Sequence, residues 1–283
     1  MYVTVSVLIA LLSACAWSLF DLKRKRLVQQ VPSLPLAMWL SACVIPVYVL
    51  LCWWSQPTWP GADYWLPALG SLLVSTMAAV SFIQALKVGQ ISLLMPVLAL
   101  TPVISACLSW WWLADGLALR ELMAMLVIVI LLFLLQGGAN FRWRAGMGYM
   151  LLVALGWGTG TVFDKWALAS AEPFAHALVQ SSGMLVLLAL VLAVRGELKQ
   201  AAPRSLPFAS LLLAALVFVL AVSAQLYALQ SLHAGIIETI KRGVGMLGAL
   251  LWGVWLFNER IERSQVLLVV LLVAAIAWLM WPA

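Results

Sequence analysis

Apolar runs long enough to cross a bilayer recur along the whole chain with almost no charge inside them. Residues 122–135 (LMAMLVIVILLFLL) and 266–280 (VLLVVLLVAAIAWLM) are two examples that carry none at all. A hydrocarbon core ~30 Å thick takes about 20 residues of helix per crossing. The 283 residues, 65% hydrophobic and 9% charged, therefore supply about ten crossings, with only short loops left over. A soluble domain carries roughly 45–50% apolar and about 25% charged residues, so a single water-soluble globule is excluded. The chain reads as an all-α polytopic membrane protein with no room for an extramembrane domain.

Hydropathy places the ten spans at residues 3–22, 34–54, 65–86, 91–113, 122–138, 147–166, 174–194, 206–230, 234–257 and 265–282. The first lacks the basic flank and small-residue cleavage site of a signal peptide and reads as a retained helix. Twelve Lys and Arg residues follow spans one, three, five, seven and nine: Lys23, Arg24, Lys25, Arg26, Lys87, Arg142, Arg144, Arg195, Lys199, Arg204, Arg260 and Arg263. The opposite side has two, Arg120 and Lys165. By the positive-inside rule the odd-numbered loops are expected in the cytoplasm and both termini outside, in what would be a bacterial inner (plasma) membrane. The net charge of +6 is thereby explained as topology, and no nucleic-acid partner is expected. Trp53, Trp54, Trp59, Trp65, Trp110, Trp111, Trp112, Trp143 and Trp281 crowd span ends, as an interfacial belt does. Cys15, Cys43, Cys52 and Cys107 read as buried thiols without metal or redox spacing, and His176 and His233 are too far apart to suggest a metal site. No cofactor is expected.

Sliding the sequence along itself by 143 residues brings Phe20–Asp21 onto Phe163–Asp164, Pro60 onto Pro203 and Ala85–Leu86 onto Ala228–Leu229. The same offset superposes Trp112–Leu113 on Trp255–Leu256 and Arg120 on Arg263. The chain thus divides into a first five-helix repeat, residues 1–140, and a second, residues 141–283. Five crossings per repeat leave the second inverted in the membrane, an architecture recurrent among secondary transporters. Spans five and ten are apolar all round and belong at the periphery. The other eight carry the Gly, Ser, Thr, Gln, Pro and charged residues, and should surround any pathway.

In this arrangement the sequence resembles the drug/metabolite transporter superfamily, in particular its ten-span EamA-type branch. The matching residues are Tyr227, Ala228 and Leu229, then residues 248–260 (GALLWGVWLFNER). In the first half they are Ala85–Leu86, Met95–Pro96, Thr101–Pro102 and Trp112, Leu113, Ala114 and Asp115. The resemblance implies a central cavity lined by spans one to four and six to nine. It also implies transport of metabolites, amino acids or amphipathic drugs without ATP hydrolysis, and cytoplasmic termini, the reverse of the charge count. A second departure is Glu238, Thr239, Ile240, Lys241 and Arg242, which stand where the first repeat has Met95, Pro96, Val97, Leu98 and Ala99.

Lys241 lies about seven residues into span nine, roughly 10 Å at 1.5 Å per residue. A charge at a helix centre costs about 2.5–3.5 kcal/mol on the most lenient scale, so these charges need partners. Glu238, Lys241 and Arg242 stand at i, i+3 and i+4 and share a face, which Ala234, Gly235, Gly245 and Ala249 share or flank. A self-neutralising cluster that locks span nine in place is one reading. The other is that one carboxylate cannot satisfy two cations, leaving positive charge, including Arg242's bidentate fork, for an anionic group on a substrate.

Asp21 and Asp164 are equivalent by the repeat and read first as interfacial pairs with nearby cations, secondly as proton-coupling carboxylates. Trp17 and Trp157 sit deeper than the belt aromatics and either pack or close on a substrate. Gln84, Gln225 and Tyr227 could line a path or hydrogen-bond at the interface. Gly156 and Gly160 form a GxxxG that allows close helix approach. Pro96 and Pro102 should kink span four.

The expected function is a secondary transporter moving a small metabolite with an anionic group by alternating access. An amino acid, an organic metabolite or a phosphorylated one would fit. Flipping of a lipid-linked anion is the alternative, with a non-transporting scaffold or an intramembrane enzyme further behind, because no loop carries a catalytic constellation.

Overall fold

The ten apolar runs each become a helix in the computed structural model, which describes residues 2–89, 94–114, 116, 118–135, 137–138, 143, 145–201, 207–257 and 263–280. Asp115, Arg142, Arg144, Pro203, Arg204, Asn258, Glu259, Arg260 and Trp281, used in the sequence reading, lie outside the described residues, as does the side chain of Ala249. The helices are α1 (Tyr2–Leu27), α2 (Ser33–Ser55), α3 (Trp65–Val88), α4 (Leu100–Leu113), α5 (Leu119–Leu135), α6 (Met147–Ala167), α7 (Pro173–Val194), α8 (Phe208–Leu229), α9 (Ala234–Phe257) and α10 (Arg263–Met280). Short 3-10 segments, Ala62–Tyr64 and Met95–Ala99, lead into α3 and α4. No strand is present among the described residues.

Helix ends follow local chemistry. Pro32 and Pro207 immediately precede α2 and α8, and Pro173 is the first residue of α7, where a missing N–H is harmless and the fixed φ suits a helix. The backbone turns left-handed at Gln56 (φ 45°) to stop α2 and at Ala114 (φ 50°) to stop α4. Span four divides rather than merely bending. Pro96 lies in the 3-10 segment, and the regular helix starts only at Leu100.

Helices pack mainly across the two repeats. The α3–α6 contact has its counterpart in α8–α1, α4–α6 in α9–α1, and α3–α7 in α8–α2, while α2–α7, α4–α9 and α5–α10 join equivalent helices. Each pairing maps onto another, or onto itself, when the repeats are exchanged, so the architecture is two inverted five-helix repeats. A Cβ at Gly156 would sit 2.7 Å from the Val74 carbonyl oxygen and 2.8 Å from the Ala78 Cβ, and one at Gly160 would sit 2.7 Å from Ser75 Oγ. The GxxxG is therefore what lets α6 lie tightly on α3. α5 and α10 pack on each other and on α9, at the edge.

Two expectations are corrected here. Cys52 is buried, but Cys15 and Cys107 are exposed and Cys43 is half-buried. In a membrane protein the outer surface is as apolar as the interior, so an apolar neighbourhood does not place a thiol inside. Arg24 does not belong to a loop: α1 continues through Leu27, and Arg24 is only 3% exposed. Removing it leaves eleven cations against two in the charge count. Trp53, Trp54, Trp59, Trp110, Trp111 and Trp143 all project outward, as a belt requires.

Candidate functional site

A cavity of about 170 Å³ lies between α1, α2, α3, α6, α7, α8 and α9, with Met95 and Leu98 of the 3-10 segment closing one wall. Among the described residues, none of α5 or α10 lines it. Its polar groups fall into three tiers along the helices.

The middle tier is built on α9. Glu238 is fully buried (0% exposed) behind the cavity wall, and its two oxygens are divided between the two cations. Lys241 Nζ donates to Oε1 at 2.6 Å and Arg242 donates to Oε2 at 2.9 Å, while the Thr161 hydroxyl donates to Oε1 at 2.9 Å. An uninterrupted helix makes this possible, because i+3 and i+4 side chains converge on the residue one turn earlier. Lys241 also donates to Gln225 Oε1 at 2.9 Å, which accepts Trp17 Nε1–H at 2.8 Å. Both cations lie against indoles: Lys241 Nζ is 5.1 Å from the Trp17 ring and the Arg242 guanidinium 4.9 Å from the Trp157 ring. Such contacts contribute about 0.5–2 kcal/mol. Lys241 and Arg242 line the cavity, and Arg242 Nε is buried without a hydrogen-bond partner.

The second tier lies towards the odd-numbered loops. Asp21 pairs with Arg24, one turn along α1, and both line the cavity. The Arg24 guanidinium is sandwiched between Phe20 (4.5 Å) and Phe82 (4.3 Å), and its Nε has no hydrogen-bond partner. Local pairing of Asp21 was expected, but at the interface; the pair is buried instead, because α1 runs a turn longer than its hydropathy suggests.

The third tier lies towards the even-numbered loops. Asp164 accepts a hydrogen bond from Ser71 on α3 and one from His176 Nε2 on α7 at 3.1 Å. The other ring nitrogen, His176 Nδ1, meets the Tyr64 hydroxyl at 2.9 Å. Local pairing of Asp164 at the interface was expected; these bonds tie it to two other helices.

Trp17, Trp157, Gln225, Lys241, Arg242, Asp21 and Asp164 are thus brought together around one space. Gln84 and Tyr227 are not among its lining residues. Gln84 accepts a hydrogen bond from Ser33, and Tyr227, 41% exposed, packs edge-on against Phe174. Gly245 borders the cavity, but Gly235 faces Ala106 and Met125 instead.

The sequence reading missed Arg24, Ser71, Tyr64, His176 and Gln180. Arg24 had a signal, since Asp21 and Arg24 repeat the i, i+3 spacing of Glu238 and Lys241. The others are single polar residues near helix starts and come together only through packing. Among the described residues no three His, Cys, Asp or Glu side chains are grouped to hold a metal.

Comparison with known proteins agrees with this geometry. A solved structure described as "Crystal structure of protein" superposes with a TM-score of 0.77, covering 98% of this chain and 99% of that one at 16% identity. At that identity the likeness is one of fold. No curated protein sequence gives a significant match. The model of the EamA-like transporter family matches residues 4–136 and again residues 144–281, one match per repeat. Multi-pass helices, two repeats and a polar cavity between them are what a membrane transporter of small molecules requires, and the chain belongs to the EamA-like transporter family.

Proposed function

We propose that the protein carries a small metabolite with an anionic group, held at Lys241 and Arg242, by alternating access of the cavity to the two membrane faces. The observation that carries this reading is the division of one carboxylate, Glu238, between two cations that both border the cavity. Glu238 sets their geometry from behind, leaving the cavity-facing sides of Lys241 and Arg242 for an incoming carboxylate or phosphate. Trp17, Phe218 and Trp157 offer rings to the substrate's apolar part, opposite Met95 and Leu98.

At a liquid-like share of about 30 Å³ per water, the cavity of about 170 Å³ holds roughly six waters, a volume suited to an amino acid or a small organic or phosphorylated metabolite. Flipping of a lipid-linked anion would need a gap beside α9. That helix is flanked by α1, α4, α5 and α10, which favours a substrate that enters from water. Rocking of the two inverted repeats about this site would open it to either face. In this reading the odd-numbered loops are cytoplasmic, the side that the surplus of Lys and Arg favours. A cysteine at Lys199, in a chain with its four native cysteines replaced, should react with impermeant maleimide only from that side.

The test is uptake by proteoliposomes of pooled, labelled amino acids, organic acids and sugar phosphates. Arg242→Ala and Lys241→Ala proteins that insert normally should each lose about 10- to 100-fold, the worth of a hydrogen bond to a charged group. Undiminished uptake in both would remove the anion site from the account.

A further inference from the structure

We infer that Asp164 and His176 form one proton site that fills when an anionic substrate occupies the cavity, so that proton and anion cross together. The inference rests on the anion reading and adds the coupling ion and its location.

His176 is 1% exposed, and both ring nitrogens are engaged, Nε2 with Asp164 and Nδ1 with the Tyr64 hydroxyl; in the neutral ring Nε2–H donates to the carboxylate and Nδ1 accepts from the phenol. One further proton has a place without new partners. It binds at Nδ1, which then donates to the Tyr64 oxygen while the phenol hydrogen rotates away. The pair passes from a net charge of −1 to zero, and the hydrogen bond between Tyr64 and Nδ1 reverses, the phenol hydrogen giving up its acceptor. Because the two groups share the site, the proton belongs to the pair rather than to either residue.

The repeat supplies a contrast. In the first repeat, the position of His176 is taken by Ser33, bonded to Gln84, and the equivalent carboxylate Asp21 is held by a guanidinium that never loses its charge. Among the described cavity-lining residues, the tier nearer the even-numbered loops is the one that combines a carboxylate with an imidazole.

Charge balance links this pair to the substrate. Among the described residues that line the cavity, with Glu238 behind them, the cations are Arg24, Lys241 and Arg242 and the carboxylates are Asp21, Asp164 and Glu238; Lys165, beside Asp164 on α6, is not among the lining residues. With His176 neutral the count is three against three. A bound anion leaves one uncompensated negative charge in an apolar setting, and a proton on the Asp164–His176 pair cancels it. Lys241 lies within electrostatic reach of Asp164, so neutralising that carboxylate turns more of the Lys241 charge towards the anion. Coupling of this kind is reciprocal: each ligand raises the affinity for the other.

Other titratable groups near this end are few. α3 and its leading segment bring Tyr64 and Asp63, α2 brings Cys52 and Tyr48, α8 brings Tyr227, and Lys165 adjoins Asp164 on α6. Glu172, just before α7, accepts from Thr58.

Two measurements test the proposal. The first follows ring-labelled histidine by NMR in nanodiscs, where only His176 and His233 contribute signals. At constant pH, the His176 ring should gain a proton when succinate is added, and Asp164→Asn should abolish that gain. A ring unchanged by the anion, or a gain indifferent to Asp164→Asn, would overturn the site. The second uses proteoliposomes containing a pH dye, with benzoate, succinate and glucose 6-phosphate as anion probes and leucine as a zwitterion. Uptake of an anion probe should acidify the lumen, and an inward gradient of one pH unit should support about tenfold accumulation. His176→Gln should abolish that accumulation, and His233→Asn should leave it intact. Uptake of none of the probes overturns the anion reading itself. Anion uptake without proton movement, or leucine carried alone, overturns the proton site.

Discussion

The segment before α4 and the first turns of α9 occupy the same place in the two repeats, 143 residues apart, yet they face the cavity with opposite chemistry. Met95 and Leu98, in a Pro-containing 3-10 segment, present an apolar wall. Their equivalents stand in an unbroken helix, where Lys241 and Arg242 form a charged wall with Glu238 behind it. The two differences are connected. The i, i+3, i+4 geometry that lets one carboxylate hold two cations needs 3.6 residues per turn, and a 3-10 segment with a proline does not supply it. Divergence between duplicated halves thus yields a cavity with one face for a charged group and one for a hydrocarbon body.

The largest test of this contrast is Glu238→Ala. Removing the carboxylate strands two buried cations and should cost about 3–5 kcal/mol, read as a loss of unfolding free energy in SDS titrations of the reconstituted protein. Adding Lys241→Ala and Arg242→Ala should restore much of that loss, because no uncompensated charge remains. If the triple variant is no more stable than the single one, the cluster is not a self-contained ionic unit.

The helix contacts around the cavity give a smaller comparison. Gly156 on α6 corresponds to Ser13 on α1, which donates to the Ala221 carbonyl at 2.7 Å. Gly156→Ala drives a methyl into the Val74 carbonyl and should cost about 1–3 kcal/mol, whereas Ser13→Ala should lose only the hydrogen bond, about 1 kcal/mol. Equal effects in a thermal unfolding assay would show that the two interfaces are not as differently packed as their distances indicate.

Next in size is the pair of cavity indoles. Trp17→Phe removes the bond to Gln225 that helps position Lys241 and should weaken substrate uptake about fivefold, the equivalent of about 1 kcal/mol. Trp157→Phe keeps a ring beside Arg242 and should change uptake less. The smallest effect is expected at Gly245, equivalent to Pro102, where a Cβ would meet nothing within 4 Å. Gly245→Ala should leave stability within about 0.5 kcal/mol of wild type, so any change in the range of transported probes would report cavity volume alone.

Ten spans, the repeat offset, the peripheral place of α5 and α10, and the charged face of α9 were all legible from residue order. Each depends on local pattern: apolar length, self-similarity, or helical spacing between neighbours in the chain. Arg24 was misplaced because hydropathy ends a span at the first cluster of charge, whereas a buried partner such as Asp21 and the rings of Phe20 and Phe82 can draw a cation back inside. The Tyr64–His176–Asp164 chain left no trace in the sequence, since its members are 112 and 12 residues apart and on different elements.

By itself, then, the sequence determined that this chain must cross the membrane about ten times as a duplicated unit, and that one helix would bring charge into the interior, because both follow from hydration and helical periodicity. Which charges meet, and which helix ends carry a carboxylate held by arginine or by histidine, was decided only by tertiary packing. Antiparallel contact of α3 with α6, and of α1 with α8, brings residues from distant parts of the chain to the same depth, and depth is what pairs buried charges.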